Sequence, residues 1–311
     1  MSDAEMSGTE MVVASREVLA QNSRSFSWAS WFLPADRRDD AAVVYALCRL
    51  VDDVADETEG AETARVELGL LRQELEGSRD PRPIVAAFLD VARRRDLDVL
   101  YALELIAGVE SDLGKVCMRS DRDLLRYCYR VAGTVGLMMC AVLGVEEPKA
   151  FPHAIDLGVA MQLTNICRDV LEDAERGRVY LPAKRLRNAG VTPQELLDGT
   201  ANPQKVGEVV CDLLTLAERY YRSADGGMAY IPARSRLAIV VASRIYRAIG
   251  VQLKLNDGNA LAGRTVVSGS LKAWWVMVAL SVYLSPTIMF FGATDGHDSS
   301  LHAALEGLPG V

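Results

Sequence analysis

The sequence predicts an all-α protein, and three observations carry that prediction. Strand signals are scarce: no run of alternating β-branched residues and no Asn-Gly hairpin turn occurs along the 311 residues. Helical spacing of apolar residues recurs through nearly the whole chain. Half of the residues are hydrophobic, enough for a substantial core, and neither a linker nor an internal repeat divides them. The expected organisation is one helical domain over 9–285. It is preceded by a disordered stretch, 1–8, and followed by a tail, 286–311, that is apolar and then polar.

The periodicity predicts helices over roughly 9–22, 24–33, 39–58, 61–77, 82–94, 96–113, 121–143, 149–175, 192–198, 203–223, 234–256 and 269–284. Several ends are legible. Thr192-Pro193-Gln194-Glu195 is a capping box with proline at the first helical position. Asp225-Gly226-Gly227 reads as the stop of the helix that ends in RYYRSA. The run LGVAMQLTNICRDVLEDAERG is apolar on more than one side, which places it in the middle of a bundle. The start, MSDAEMSGTEMV, lacks the basic then apolar pattern of a signal peptide.

From Ala273 to Phe291 nineteen residues pass without a charge, just the length of a membrane span. Ser281, Tyr283, Ser285, Pro286 and Thr287 weaken its second half. The expectation is a final core helix ending near Leu284, with peripheral membrane contact as the alternative and a true span as the least favoured.

Composition excludes some functions. A net charge of −8 and a pI near 5.1 exclude the basic surface of a nucleic-acid binder. Cys48, Cys117, Cys128, Cys140, Cys167 and Cys211 form no CxxC pair, which suits reduced, buried thiols in the cytoplasm. The three histidines are His153, His297 and His302, the last two in the polar tail. So few histidines argue against zinc, and metal or acid–base chemistry must then rest on carboxylates.

Two stretches supply them: RLVDDVAD at 49–56 and NICRDVLED at 165–173. Asp52 and Asp56 share a helix face, about 6 Å apart along the axis, with Arg49 on the same face and Asp53 rotated to its edge. Asn165, Asp169 and Asp173 form a second row, extended backward by Gln162. Like charges at this spacing destabilise a helix, and more so out of water. A solvated helix face explains one such row. Two rows in apolar contexts, each with arginines nearby (Arg49, Arg168, Arg176, Arg178), point instead to a divalent cation. Oxygen donors without thiolate or imidazole clusters suit Mg²⁺, which shares its coordination with substrate phosphates. The carboxylates would then line an internal cleft that is polar at one end.

These stretches, together with NSRSFSWASWFLP (22–34), YCYRVAGTVGLMM (127–139) and RGRVYLP (176–182), resemble the squalene/phytoene synthases, the head-to-head prenyl-diphosphate synthases. The resemblance covers roughly 15–285 and is nearest to the bacterial phytoene synthases. A tyrosine expected near Gly258 is missing, and Arg264 is the least secure match. The resemblance implies an isoprenoid-synthase-like bundle around a central cavity. It also implies head-to-head condensation of two geranylgeranyl diphosphates to phytoene by way of a cyclopropyl diphosphate. The cofactor is expected to be Mg²⁺, with Mn²⁺ as the substitute.

The resemblance further implies residue roles. Asp52, Asp56, Asn165, Asp169 and Asp173 would hold the metal. Ser23, Ser25, Arg49, Arg168, Arg178, Tyr246 and Arg264 would contact diphosphate, with Gln162 beside them. Tyr127 would stand near the ionising allylic carbon, and Phe26, Val131, Val135, Leu137 and Met161 beside the prenyl chain. Gly133 and Gly136 leave two readings open, close helix packing or room for that chain. No GxGxxG fingerprint is present, so no NADPH is expected. This favours phytoene or C30 dehydrosqualene, made from farnesyl diphosphate, over squalene.

Alternatives remain. Head-to-tail prenyltransferases and terpene cyclases also use paired acidic helices, but Asp173 gives N-x3-D-x3-D where a cyclase typically has N-x3-S/T-x3-E. A non-catalytic helical assembly protein could use the same scaffold. The expected site is cytoplasmic, with peripheral contact at the inner face of the cell membrane through the apolar C-terminal segment.

Overall fold

A computed structural model describes residues 8–22, 30–265, 274, 275, 277 and 297–311. The helices are α1 (Gly8–Asn22), α2 (Ala35–Glu57), α3 (Ala61–Leu75), α4 (Pro83–Arg95), α5 (Leu100–Glu110) and α6 (Asp121–Cys128). A π-turn over Tyr129–Gly133 joins α6 directly to α7 (Thr134–Leu143). Then come α8 (Phe151–Arg168), α9 (Val170–Glu175), α10 (Ala183–Asn188), α11 (Pro193–Leu197), α12 (Pro203–Gly227) and α13 (Ala233–Leu255). Among the described residues the one β-like pairing is an isolated bridge, Cys117 to Val179.

The all-α expectation stands, and the differences have local causes. The helix expected over 149–175 breaks at Asp169, whose φ of −102° and ψ of 15° separate α8 from α9. Asp169 N–H still bonds Asn165 O at 2.9 Å, and Asp173 N–H bonds Asp169 O at 2.8 Å, so the i,i+4 relation of the acid row survives. The helix expected over 203–223 runs four residues further and ends at Gly227, the last residue of the Asp225-Gly226-Gly227 stop. Gly227 is needed there for contact rather than for a turn: a Cβ would lie 2.3 Å from that of His153. The short helix α10 is not evident from periodicity. The Thr192–Glu195 capping box forms as expected. Residues 1–7 of the stretch expected to be disordered, most of the helix over 24–33 and nearly all of that over 269–284 fall outside the described residues, while Gly8 begins α1.

Helix α8 is central, as its two-sided apolarity predicts. One face (Ile155, Val159, Leu163, Ile166) packs into a core shared with Val210 and Leu213 of α12. Its other face, from Ala154 to Asn165, borders a cavity. A second core joins α2 to α5 through Leu47, Leu68, Phe88 and Ile106, each fully buried and each contributing about 1.5–3 kcal/mol. Helix α7 meets α8 at backbone contact. A Cβ on Gly136 would sit 2.3 Å from Ala154 O, and one on Gly158 2.2 Å from Ala132 O. Close packing therefore explains Gly136. Leu137 is buried on the far side, against Gly310, and does not border the cavity.

Residues 297–311, read from sequence as part of a tail, lie on the bundle. Leu301, Leu305 and Leu308 are buried. Tyr220 Oη donates to Leu301 O at 2.7 Å, Tyr129 Oη donates to Pro309 O, and Arg126 donates to Ala304 O and Glu306 O. The histidines, distant in sequence, converge: His297 and His302 both reach Asp156, beside His153.

Candidate active site

The cavity between α2, α7, α8 and α13 has a volume of about 310 Å³. That is at the small end of the range for ligand sites. Each helix contributes a stripe at helical spacing: Val44, Tyr45, Cys48 and Asp52 from α2, Leu157, Met161, Gln162 and Asn165 from α8, and Ala238, Ala242 and Tyr246 from α13. On these three helices the last member of the stripe is polar (Asp52, Asn165, Tyr246), while Val131, Val135 and Met139 complete an apolar wall. The cavity is thus polar at one end, as the two acid rows predict.

Asp52 is solvent-accessible and lines this cavity, yet many protein atoms enclose it. That enclosure pushes its carboxyl up to about 7, with Asp56, Asp112 and Asp53 adding to the effect and Arg49 opposing it. Asp173 is likewise raised to about 7, first by burial and then by Asp169. Asn165 donates to Gln162 Oε1 at 3.4 Å, while its own Oδ1 is buried without a hydrogen-bond partner. Arg49 pairs with Asp53, not with Asp52, and its Nε is buried without a hydrogen-bond partner.

The other two aspartates are covered by arginine. Arg178 donates to Asp56 Oδ1 at 2.7 Å and Arg176 to Asp56 Oδ2 at 3.3 Å. Arg168 forks onto Asp169, with Nε donating to Oδ1 at 2.7 Å, and Arg264 Nε lies 3.3 Å from the same oxygen. Among the described residues, no three of the aspartates at 52, 56, 169 and 173 come close enough to share one ion.

Tyr127 does not line the cavity. It is buried, donates to Asp112 Oδ2 at 2.7 Å, and stacks on Tyr180 with ring centroids 5.0 Å apart. Sequence reasoning assigns no site role to Asp112 or Tyr180: Asp112 falls in the helix expected over 96–113, which ends at Glu110, and Tyr180 lies in the RGRVYLP stretch without a periodic pattern to mark its facing. Burial raises the Asp112 carboxyl to about 6, opposed by the Tyr127 hydrogen bond and by Arg178. Asp112 thus ties the rows together, lying within electrostatic reach of Asp52, Asp56, Asp173 and Arg178. Ser23, Ser25 and Phe26 lie outside the described residues.

The family model described as squalene/phytoene synthase matches residues 19–270. The chain belongs to the squalene/phytoene synthase family. Within it, the chain is 38% identical to the 15-cis-phytoene synthase of Paracoccus sp. (strain N81106) over 85% of this chain and 89% of that one. It is 40% identical to the 15-cis-phytoene synthase of Enterobacter agglomerans over 74% and 82%. Among solved structures, a dehydrosqualene synthase in complex with ligand superposes with a TM-score of 0.80 at 28% identity, covering 88% of this chain and 96% of that one. The family, the all-α isoprenoid-synthase-like bundle and the prenyl-transferring enzyme class expected from sequence all stand.

Proposed function

We propose that the protein is a phytoene synthase, joining two molecules of geranylgeranyl diphosphate head to head into phytoene through a cyclopropyl diphosphate. The observation that carries this reading is an otherwise apolar cavity whose polar end is lined by one member of each acid row, Asp52 and Asn165, while arginines pair with the neighbouring Asp56 and Asp169 of the same rows. Its support in substrate class is the pair of relatives named 15-cis-phytoene synthase at 38% and 40% identity.

The residues fit Mg²⁺. The donors are hard oxygens, the buried Asn165 Oδ1 lacks a partner, and burial together with neighbouring carboxylates pushes Asp52 and Asp173 up to about 7, a crowding a cation would relieve. Asp52, Asp56, Asn165, Asp169 and Asp173 would hold it, and when bound it supplies charge stabilisation to the leaving diphosphate. Arg178, Arg168 and Arg264, now paired to Asp56 and Asp169, are placed to turn from carboxylate to phosphate when the substrate arrives. The Val131, Val135 and Met161 wall excludes water from the allylic cation. Tyr127, held by Asp112, presents a fixed dipole behind the reacting end.

The protein is further read as a peripheral guest of the inner face of the cell membrane. The 273–291 segment carries no charge, and Trp274 and Met277 are 63% and 62% exposed. A C40 hydrocarbon product needs a lipid destination. Among the described residues no helix is long and apolar enough to cross a membrane.

Product analysis tests the reading: purified protein with Mg²⁺ and either geranylgeranyl or farnesyl diphosphate, without and with NADPH. A C40 triene formed without reductant is expected. The likeness to a dehydrosqualene synthase makes a C30 product the second reading, and its formation in preference to the C40 triene overturns the first.

A further inference from the structure

We infer that Asp156, His297 and His302 form a second metal site, for a divalent transition ion of the Zn²⁺ class, that fastens the C-terminal segment to the central helix α8. Asp156 is completely buried near the N-terminal end of α8, nine residues before Asn165 and about 13 Å along the axis from it. One of its oxygens, Oδ1, lies 2.9 Å from His302 Nε2, and the other, Oδ2, 3.0 Å from His297 Nε2. One ligand atom from each of the three residues falls within 4.8 Å of the others, and among the described residues no other His, Cys, Asp or Glu group does this.

Three features favour a metal over an ordinary hydrogen-bonded pair. First, Asp156 is a buried anion: burial raises its carboxyl, but the two imidazoles and Ser223 more than offset that and hold it below its ordinary value. Its ion-pair partners among the described residues are imidazoles, not lysine or arginine, so its charge is matched only if a ring is protonated or a cation joins them. Second, His297 Nε2 lies close to the carboxylate yet is buried without a hydrogen bond of good geometry. An imidazole nitrogen beside a carboxylate oxygen without such a bond is available to an ion between them. Ligands about 2.0–2.2 Å from Zn²⁺ stand roughly 3.3 Å apart, a few tenths wider than the present contacts. Third, an outer layer of hydrogen bonds is in place. Ser223 Oγ donates to Asp156 Oδ2, and His153 bonds Ser223 O at 2.6 Å through Nδ1.

The site is structural in position. His153 borders the cavity end remote from Asn165 and meets His297 edge-on at 5.5 Å. An ion at Asp156 would therefore brace the apolar end of the cavity and pin residues 297–311, while the aspartate rows serve the other end.

The test uses the full chain, stripped of metal and then saturated with Mg²⁺ so that the aspartate rows are filled. Zn²⁺ is titrated against a competing chromophoric chelator. One equivalent is expected, bound equally by Asp52→Asn but at least about 100-fold more weakly by His302→Gln and His297→Gln. Zn²⁺ should also protect residues 297–311 from limited proteolysis in the wild type and not in the histidine variants. Where His302→Gln fails to fold, His297→Gln, at a ring that is 14% exposed, carries the comparison. Equal Zn²⁺ affinity in wild type and variants, or none in the wild type, overturns the site and leaves Asp156 neutralised by a protonated imidazole.

Discussion

Tyr127 donates its phenolic proton to Asp112 across 2.7 Å, joining a residue expected at the reacting centre to one that the sequence does not mark. Stacking on Tyr180 fixes the ring, and the second Asp112 oxygen is buried without a hydrogen-bond partner. Asp112→Asn keeps the shape and removes the charge. Its expected effect is a fall in kcat of about 10²-fold, the scale of losing one preorganised electrostatic group. Steady-state kinetics beside circular dichroism checks this, and wild-type kcat in the variant removes Asp112 from the machinery.

Asp52 and Asp169 sit on opposite acid rows, so Asp52→Asn and Asp169→Asn should each lower turnover by at least about 10²-fold with helical content unchanged. Product formation followed over a range of Mg²⁺ concentrations is the measurement. Near-normal turnover in either variant at ordinary Mg²⁺ would remove the metal reading of the rows.

The raised carboxyls make metal affinity depend on pH. Asp52 and Asp173 stand at about 7 and Asp112 at about 6, all above the usual 3.8. Mg²⁺ needs the ionised forms, so its apparent affinity should climb between about pH 6 and about pH 8, with protons released on binding. Because each proton is held more tightly in the folded state, metal-free stability should fall as pH rises from about 4 to about 7, then level off. Saturating Mg²⁺ should abolish that fall. Melting curves across this range with and without Mg²⁺ decide it, and a flat metal-free profile contradicts it.

Gly158→Ala drives a methyl group into Ala132 O, 2.2 Å away, where α8 meets the helix before it. Neither backbone can retreat without opening the cavity wall, so a loss of about 1–3 kcal/mol is expected in urea unfolding. Gly69→Ala in α3, with open space around its Cβ, should instead gain up to about 1 kcal/mol. Equal effects at the two positions would refute the close-contact account.

Removing 297–311 deletes Leu301, Leu305 and Leu308 from the core and should cost at least about 3 kcal/mol. A truncation therefore reports on stability before it reports on lipid. The membrane reading is better tested by Trp274→Ser with Met277→Ser, two exposed positions in the uncharged segment. Their expected effect is weaker sedimentation with liposomes and unchanged turnover in detergent. Unaltered sedimentation excludes contact through this face.

Much of the fold was legible because helical periodicity and capping are local. The Thr192–Glu195 box, the two-sided apolarity of α8 and the i,i+4 acid rows depend on neighbours a few residues away, and these appear where expected. Local rules also show where they run out. Asp225-Gly226-Gly227 has the composition of a helix stop and the helix does end at Gly227, but that glycine is also required by contact with His153, seventy-four positions earlier. Leu137 has the right chemistry for a tunnel wall, but helical phase turns it away.

By itself the sequence determined most of the helices and which oxygen-bearing side chains share a face, since both follow from spacing along one chain, while its motifs carried the resemblance to the family. Only the tertiary structure decided which charges meet: Arg178 with Asp56, Arg264 with Asp169, Tyr127 with Asp112, and His297 and His302 with Asp156. Those pairings span loops of up to 146 residues. They are set by how the bundle's two cores close around the cavity, a property of packed volume and not of residue order.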